Sequence, residues 1–117
     1  MSTYVTDALP QLVALGDPTR RQVFEILRRG PASVGEIARQ LPVSRPAVSQ
    51  HLKLLLGARL VRFTQEGTRH LYTVDQRGVT ELHLWLSQFW DDALDRFREA
   101  AEAERSIDEH DRSTRPD

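Results

Sequence analysis

Apolar residues recur at helical spacing in two short neighbouring segments between residues 33 and 57. The stripes consist of Ile37, Ala38 and Leu41 in the first segment and of Val48, Leu52 and Leu55 in the second. Each stripe predicts an amphipathic helix that buries one face. Two short helices joined by a tight turn, with polar residues on the outer face of the second, indicate a helix-turn-helix.

Capping residues predict where these two helices begin and end. Ser33 and Glu36 have the spacing of a capping box at the start of the first helix. Pro42 cannot continue that helix. Ser44 is placed to be the N-cap of the second helix, and Pro46 is tolerated in its first turn.

Two further helices are predicted on the amino-terminal side. Leu9, Leu12 and Val13 suggest a short first helix that ends at Gly16. Asp17-Pro18 is a cap followed by a first-turn proline, and it opens a second helix with apolar residues at 23, 24 and 27. The helix-turn-helix is therefore expected to be preceded by two helices.

A β-hairpin and a long helix are predicted after the helix-turn-helix. Residues 60–65 and 68–74 alternate in polarity around Gly67, which predicts a hairpin that serves as a wing. A helix is expected from about Asp75 to Glu104, with an apolar stripe close to the coiled-coil period. Residues 1–104 would thus form the domain, and residues 105–117 an acidic, disordered tail.

Composition narrows the functional classes. A chain of 117 residues without cysteine has no disulfides and no thiolate metal site, and it suits a reducing compartment. No secretory signal and no apolar stretch of about 20 residues is visible, so we expect a cytoplasmic protein with no membrane partner. No nucleophile elbow, phosphate-binding glycine loop or carboxylate pair is visible either, so no catalytic residue is proposed.

The charge is distributed unevenly along the chain. The net charge is only −1, but residues 18–73 hold ten Arg or Lys against three Glu, a net charge of +7. Residues 74–117 hold six Arg against twelve Asp or Glu, a net charge of −6. Because the basic half coincides with the predicted helix-turn-helix, the pattern favours double-stranded DNA as the partner.

Several short sequence motifs occur in an order that resembles one protein family. They are Ala14-Leu-Gly-Asp-Pro-Thr-Arg-Arg, Val34-Gly-Glu-Ile-Ala, Ser44-Arg-Pro-Ala-Val-Ser-Gln-His-Leu-Lys, Leu60-Val and Glu66-Gly. This order is similar to the ArsR/SmtB-type winged helix-turn-helix repressors. The resemblance implies a mainly α fold with a small β-hairpin wing. It also implies a homodimer, joined through the first and last helices, that binds a palindromic operator and often releases it when a metal or other inducer binds.

Side chains suited to DNA contact are concentrated on the second helix of the motif, the recognition helix, and on the wing. The candidates are Ser44, Arg45, Ser49, Gln50, His51 and Lys53 on the helix, and Arg62 and Arg69 on the wing. Gln50 is the first choice for base recognition, since glutamine can pair bidentately with adenine. Lys53 is expected at phosphate, and the two wing arginines at phosphate or in the minor groove. For His51, phosphate contact and simple packing both remain open.

Apolar residues of the first and last helices are candidates for the dimer interface, and the last helix also carries part of a metal pattern. The interface candidates are Leu9, Leu12, Leu82, Leu86, Phe89, Trp90, Ala93 and Phe97. Glu81-Leu-His83 resembles half of the family's last-helix metal pattern, but Leu94 and Phe97 stand where the other ligands would be, so no metal or cofactor is expected. Two alternatives stay open: a metal or organic ligand sensed at the dimer interface near His83, Trp85 and Trp90, and a protein-interaction module that has lost DNA binding.

One position departs from the family pattern. Arg59 stands where glycine commonly precedes the Leu-Val of the wing, and a glycine occurs two residues earlier, at Gly57. Either Arg59 accepts a left-handed conformation, at a cost on the order of 1 kcal/mol, or the recognition helix ends at Gly57 and the wing is tilted.

Overall fold

The structure is a computed structural model that describes the backbone of residues 8–114 and the side chains of residues 8–108. Its elements, in chain order, are α1 (Leu9–Gly16), α2 (Pro18–Arg28), α3 (Val34–Ala38), α4 (Arg45–Gly57), β1 (Val61–Glu66), β2 (Arg69–Val74) and α5 (Gln76–Thr114). The chain divides into two compact units, Met1–Trp85 and Leu86–Asp117. No helix of the described residues has the length and apolar character needed to cross a membrane.

The core of the first unit is built from the predicted apolar stripes. Val23, Phe24 and Leu27 of α2 are buried, as are Ile37 of α3 and the whole stripe of α4, formed by Val48, Leu52 and Leu55. Ala38 and Leu41 are half-buried and pack against this core. The helix-turn-helix prediction is confirmed, although α3 ends at Ala38 and Leu41 packs against the core from the turn that follows.

The predicted caps are also present. The Ser33 hydroxyl accepts a hydrogen bond from the backbone N–H of Glu36, and the Glu36 carboxylate accepts one from the N–H of Ser33, which completes the capping box. Asp17 caps α2 by accepting from the N–H of Arg20 at 2.8 Å. Ser44 caps α4 by accepting from the N–H of Ala47 at 3.3 Å.

The hairpin forms a two-stranded antiparallel sheet next to α4. Val61 pairs with Val74 and Phe63 with Tyr72, and the two-residue loop after Glu66 begins with Gly67 at a φ of 64°. A positive φ at the first of two loop residues is what a type II′ hairpin turn requires. The wing is also tied to the segment before α3, since Ala32 and Tyr72 exchange backbone hydrogen bonds of 3.0 and 2.8 Å.

The junction between α4 and the wing decides between the two alternatives for Arg59. Arg59 adopts the left-handed conformation, with a φ of 57°, directly after the cap residue Ala58. Its N–H donates to the carbonyl of Leu56, and the N–H of Leu60 donates to the carbonyl of Leu55. These two bonds form a Schellman motif. Arg59 therefore occupies the left-handed glycine position, whereas Gly57, the last residue of α4, has no positive φ.

The last helix is longer than the sequence predicts. α5 continues to Thr114, so the expected end at Glu104 is wrong. Residues 105–114 contain neither glycine nor proline, and Arg105 and Glu109 have the four-residue spacing of a favourable helical charge pair. The rest of the predicted tail, residues 115–117, lies outside the described residues.

Candidate nucleic-acid interface

The amino-terminal half of α4 presents polar side chains to solvent. Of the helix candidates, Ser44, Arg45, Ser49, Gln50 and Lys53 are exposed. The buried stripe of Val48, Leu52 and Leu55 fixes the opposite face in the core. A rigid helix that carries an amide, hydroxyls and cations on its free face has the chemistry that reads base edges in a major groove.

Two of these helix candidates also contact the rest of the fold. The guanidinium of Arg45 lies over α3, close enough that a Cβ at Gly35 would be 3.0 Å from its Nη2 atom. His51 is partly buried, and its Nδ1 lies 4.0 Å from a carboxylate oxygen of Asp17. The structure thus places the His51 ring against the start of α2, which is the packing role that the sequence left open beside phosphate contact.

The two wing arginines have different surroundings. Arg62 is exposed and has no carboxylate within ion-pair distance among the residues that the structure describes. Arg69 is also exposed, but its Nη2 lies 2.6 Å from Oε1 of Glu36, the residue that completes the capping box of α3. One wing arginine is therefore available to an anion, whereas the other already has a partner inside the protein.

Three carboxyl groups around this surface have lowered pKa values. The pKa of Glu36 is lowered first by its hydrogen bond from the Ser33 N–H, then by the Ser33 side chain and by Arg69. Hydrogen bonding by the Arg77 side chain is the largest cause of the lowered pKa of the buried Asp75. The pKa of Asp17 is lowered chiefly by the Arg20 N–H that it caps. All three are held in the charged form.

The carboxyl end of α4 is held by contacts that the sequence did not predict. Gln11 of α1 is buried, and its side-chain amide donates to the carbonyl of Ala58 at 2.7 Å. From α5, the N–H of Gly78 donates to the carbonyl of Arg59 at 2.8 Å. Glu81 forms a 2.9 Å ion pair with the guanidinium of Arg59. We call these four contacting residues, Gln11, Arg59, Gly78 and Glu81, the α4 junction.

A signal for part of the α4 junction is present in the sequence. Gln11, Ala14 and Leu15 have helical spacing, and Gln11 and Ala14 are the buried residues of α1. The more hydrophobic Leu9 and Val13 are each 63% exposed. In α1 the inner face is thus the less hydrophobic one, and its polar residue, Gln11, points into the core.

The predicted dimer-interface residues are not buried within the chain. Leu9, Leu12, Leu86, Phe89, Trp90 and Phe97 are exposed, and Leu82 and Ala93 are half-buried. The described part of the second unit is a single stretch of α5, and exposed apolar side chains recur along it. Whether another copy of the chain covers them stays a prediction.

The described residues lack a side-chain cluster that could bind a metal ion. Within residues 8–108 no group of three or more His, Asp or Glu side chains lies close enough together to hold a metal ion. His83, which resembles half of a metal pattern, is exposed on α5.

The proteins that this chain is similar to are helix-turn-helix transcriptional regulators, in agreement with the fold. A helix-turn-helix domain model matches residues 15–62. The HTH-type transcriptional regulator Rv2034 of Mycobacterium tuberculosis is 50% identical over 91 residues, which cover 78% of this chain and 85% of that protein. The transcriptional repressor SdpR of Bacillus subtilis is 29% identical over 76 residues, or 65% of this chain and 84% of that protein.

A solved structure gives the same result. It is that of an ArsR-like transcriptional regulator from Rhodococcus sp. RHA1, with a TM-score of 0.69 and 28% sequence identity. The match covers 86% of this chain and 97% of that one. The similarity therefore extends over most of the length of both chains.

Proposed function

The chain belongs to the ArsR/SmtB family of helix-turn-helix transcriptional regulators, and we propose that it acts as a homodimeric repressor that binds an inverted-repeat operator. The proposal assigns base recognition to the exposed face of α4 and backbone contact to Lys53 and Arg62. Such a regulator acts where the chromosome lies, so we place it in the cytoplasm.

The observation that carries this proposal is the position of Gln50 and Ser49 on α4. Both side chains are exposed, and they follow Arg45 on a helix whose opposite face is fully buried. Gln50 can pair with adenine and Arg45 with guanine, and each bidentate pair contributes about 1–3 kcal/mol of discrimination. Ser49 can donate to a base or to a phosphate.

Exposed apolar residues support dimerisation. Leu9, Leu12 and Val13 of α1 are 63%, 39% and 63% exposed, although they are among the most hydrophobic residues of that helix. On α5, Trp90 is 63% exposed and Phe97 is 70% exposed. Exposed apolar surface of this kind marks interaction sites. In a symmetric dimer the two α4 helices would enter successive major grooves about 34 Å apart.

The first experiment finds a ligand by selection, so the operator sequence need not be specified in advance. Purified protein selects duplexes from a randomised pool, and fluorescence anisotropy then measures the affinity for the enriched sequence. We expect an inverted repeat whose half-site centres are one helical turn apart. Sedimentation at micromolar concentration should give a dimer. A monomer, or a failure to enrich any duplex at low salt, would contradict the proposal.

Two variants test the division of roles on α4. Gln50→Ala should relax the preference at one base position in each half-site, because it removes a base-reading amide. Lys53→Ala should instead weaken binding to all sequences and reduce the salt dependence by about one unit per protomer. An equal, sequence-independent loss in both variants would show that Gln50 does not read a base.

A further inference from the structure

We propose that Arg69 is a positioning residue that holds the wing against the helix-turn-helix through Glu36, and that it is not a contact to DNA. This inference rests on the proposed function, because its effect is measured on duplex binding. The sequence assigned Arg69 to DNA together with Arg62. The structure gives the two arginines different partners.

Besides the burial of Val61 and Leu71 in the core, two polar contacts join β2 of the wing to the segment around α3. Near the base of the wing, Tyr72 of β2 exchanges two backbone hydrogen bonds with Ala32, just before α3. Near its tip, Arg69 pairs with Glu36 at 2.6 Å. Tyr72 and Arg69 are three residues apart on β2, which corresponds to about 10 Å along a strand. The ion pair near the tip therefore restrains the outer part of the hairpin, beyond the part that the core and the Tyr72 bonds already anchor.

Glu36 is well prepared to receive Arg69. The same oxygen, Oε1, accepts the N–H of Ser33 at 3.1 Å and the guanidinium of Arg69 at 2.6 Å. The capping box orders the Glu36 side chain independently of Arg69. The ion pair therefore costs less side-chain entropy than one with a flexible glutamate. These contacts keep the pKa of Glu36 below its usual range, so the partner of Arg69 is charged at neutral pH.

The ion pair also alters the charge that the wing offers to DNA. Glu36 neutralises Arg69 in a direct ion pair, whereas Arg62 acts on the nearest carboxylate, Asp75, only at a longer range, where it helps to lower the pKa of Asp75. Only an arginine that meets a phosphate displaces counterions and contributes to the salt dependence of binding. The two arginines of the wing therefore differ in a measurable quantity.

The test compares Glu36→Gln, Arg69→Gln, the double variant and, as a matched control, Arg62→Gln. Glutamine preserves the capping box at position 36 and removes only the charge. We expect each single variant at 36 and 69 to weaken duplex binding roughly two- to five-fold, the range of an exposed ion pair. The double variant should bind no more weakly than either single one, because both remove the same contact.

Salt dependence separates positioning from contact. The slope of log Kd against log salt should be unchanged in Arg69→Gln and should fall by about one unit per protomer in Arg62→Gln. Tighter binding by Glu36→Gln, or a slope in Arg69→Gln as low as that of Arg62→Gln, would overturn the inference. Either result would mean that Arg69 leaves Glu36 for a phosphate.

Hydrogen exchange of the free protein tests the same ion pair without DNA. The backbone amides of residues 67–70 should exchange faster in Glu36→Gln and Arg69→Gln than in the parent chain, and at the parental rate in Arg62→Gln. Unchanged exchange in both variants would refute the positioning role. A parent chain that selects no duplex would refute the proposed function instead, and the exchange result would still decide the role of Arg69.

Discussion

The two ends of α4 differ in almost every respect. At the amino-terminal end Ser44, Arg45 and Ser49 are exposed. At the carboxyl-terminal end the carbonyls of Ala58 and Arg59 are taken up by Gln11 and Gly78. The comparison indicates that the carboxyl-terminal end is held by polar contacts from α1 and α5, whereas the amino-terminal end keeps its polar side chains exposed to a ligand.

A substitution at Gly78 should disturb the fixed end of α4 most strongly. A Cβ at residue 78 would overlap the carbonyl oxygen of Arg59 and would lie 2.7 Å from that of Ala58. Both obstacles are backbone atoms, so α5 and the end of α4 must separate. We expect Gly78→Ala to lower the free energy of unfolding by about 3 kcal/mol, the upper range of overpacking. Urea denaturation measures this loss.

Gly57→Ala is the matched control for that variant. Gly57 is the last residue of α4, and a Cβ there would have no atom within 4 Å. The same substitution should therefore be neutral or raise the free energy of unfolding by up to about 1 kcal/mol, since alanine favours the helix. Equal stability of the two variants would show that the close approach at Gly78 is not a constraint.

Acid should weaken the fixed end through Asp75. Asp75 is buried, donates its N–H to the carbonyl of Leu60, and receives three hydrogen bonds from the Arg77 guanidinium. Its folded pKa lies below the ordinary value of 3.8, so its contribution to stability is present above about pH 4 and is lost as the pH falls through the folded pKa.

Thermal unfolding between pH 5 and pH 2.5 tests the role of Asp75. The midpoint temperature should fall less steeply with pH in Asp75→Asn than in the parent chain, because asparagine has no proton to gain. Parallel curves would mean that Asp75 does not contribute to the acid sensitivity. Asp17 and Glu36 have lowered pKa values as well, so some dependence on pH remains in the variant.

At the exposed end of α4, loss of the Ser44 cap should lower the free energy of unfolding moderately. Ser44 is the N-cap of α4, and its hydroxyl accepts the N–H of Ala47. Ser44→Ala should lower the free energy of unfolding by about 1 kcal/mol, and Ser44→Gly by only a few tenths. Should the two substitutions cost the same, the hydroxyl is not acting as a cap.

The smallest expected effect is at Arg59 and has the opposite sign. Glycine relieves the left-handed conformation but removes the ion pair with Glu81, in which the Arg59 side chain is 53% exposed. Because an exposed pair contributes little, Arg59→Gly should stabilise the fold by less than about 1 kcal/mol. Arg59→Ala loses the pair and keeps the Cβ, so the difference between the two variants in urea reports the backbone strain together with the greater freedom of glycine in the unfolded chain.

Local patterns predicted the elements well because their causes are local. The capping box of Ser33 and Glu36, the cap at Ser44 and the turn at Gly67 each depend on a few neighbouring residues. The stripe of α4 follows from the helical period alone. In these cases the sequence already contains both partners of the contact.

Contacts between distant residues were not predictable in the same way. Gln11 bonds to Ala58, 47 residues away, and Arg69 pairs with Glu36, 33 residues away. The hydrophobic periodicity around each of these residues does not indicate which distant residue it contacts. The predicted end of α5 at Glu104 is wrong for another reason. Residues 105–114 contain one aliphatic residue, Ile107, and so polar a composition predicts disorder, but a surface helix can be polar all round.

The hairpin has one further property that follows from the bonds at its base. The carbonyls of Arg59 and Leu60 bind the amides of Gly78 and Asp75, so the chain leaves and returns at one closed point. Val61 and Leu71 fix the base of the hairpin in the core, whereas the tip around Gly67 is exposed. Hairpins lengthened by matched pairs of residues should extend the reach of the protein along a duplex, while the helix that inserts into the groove keeps its angle.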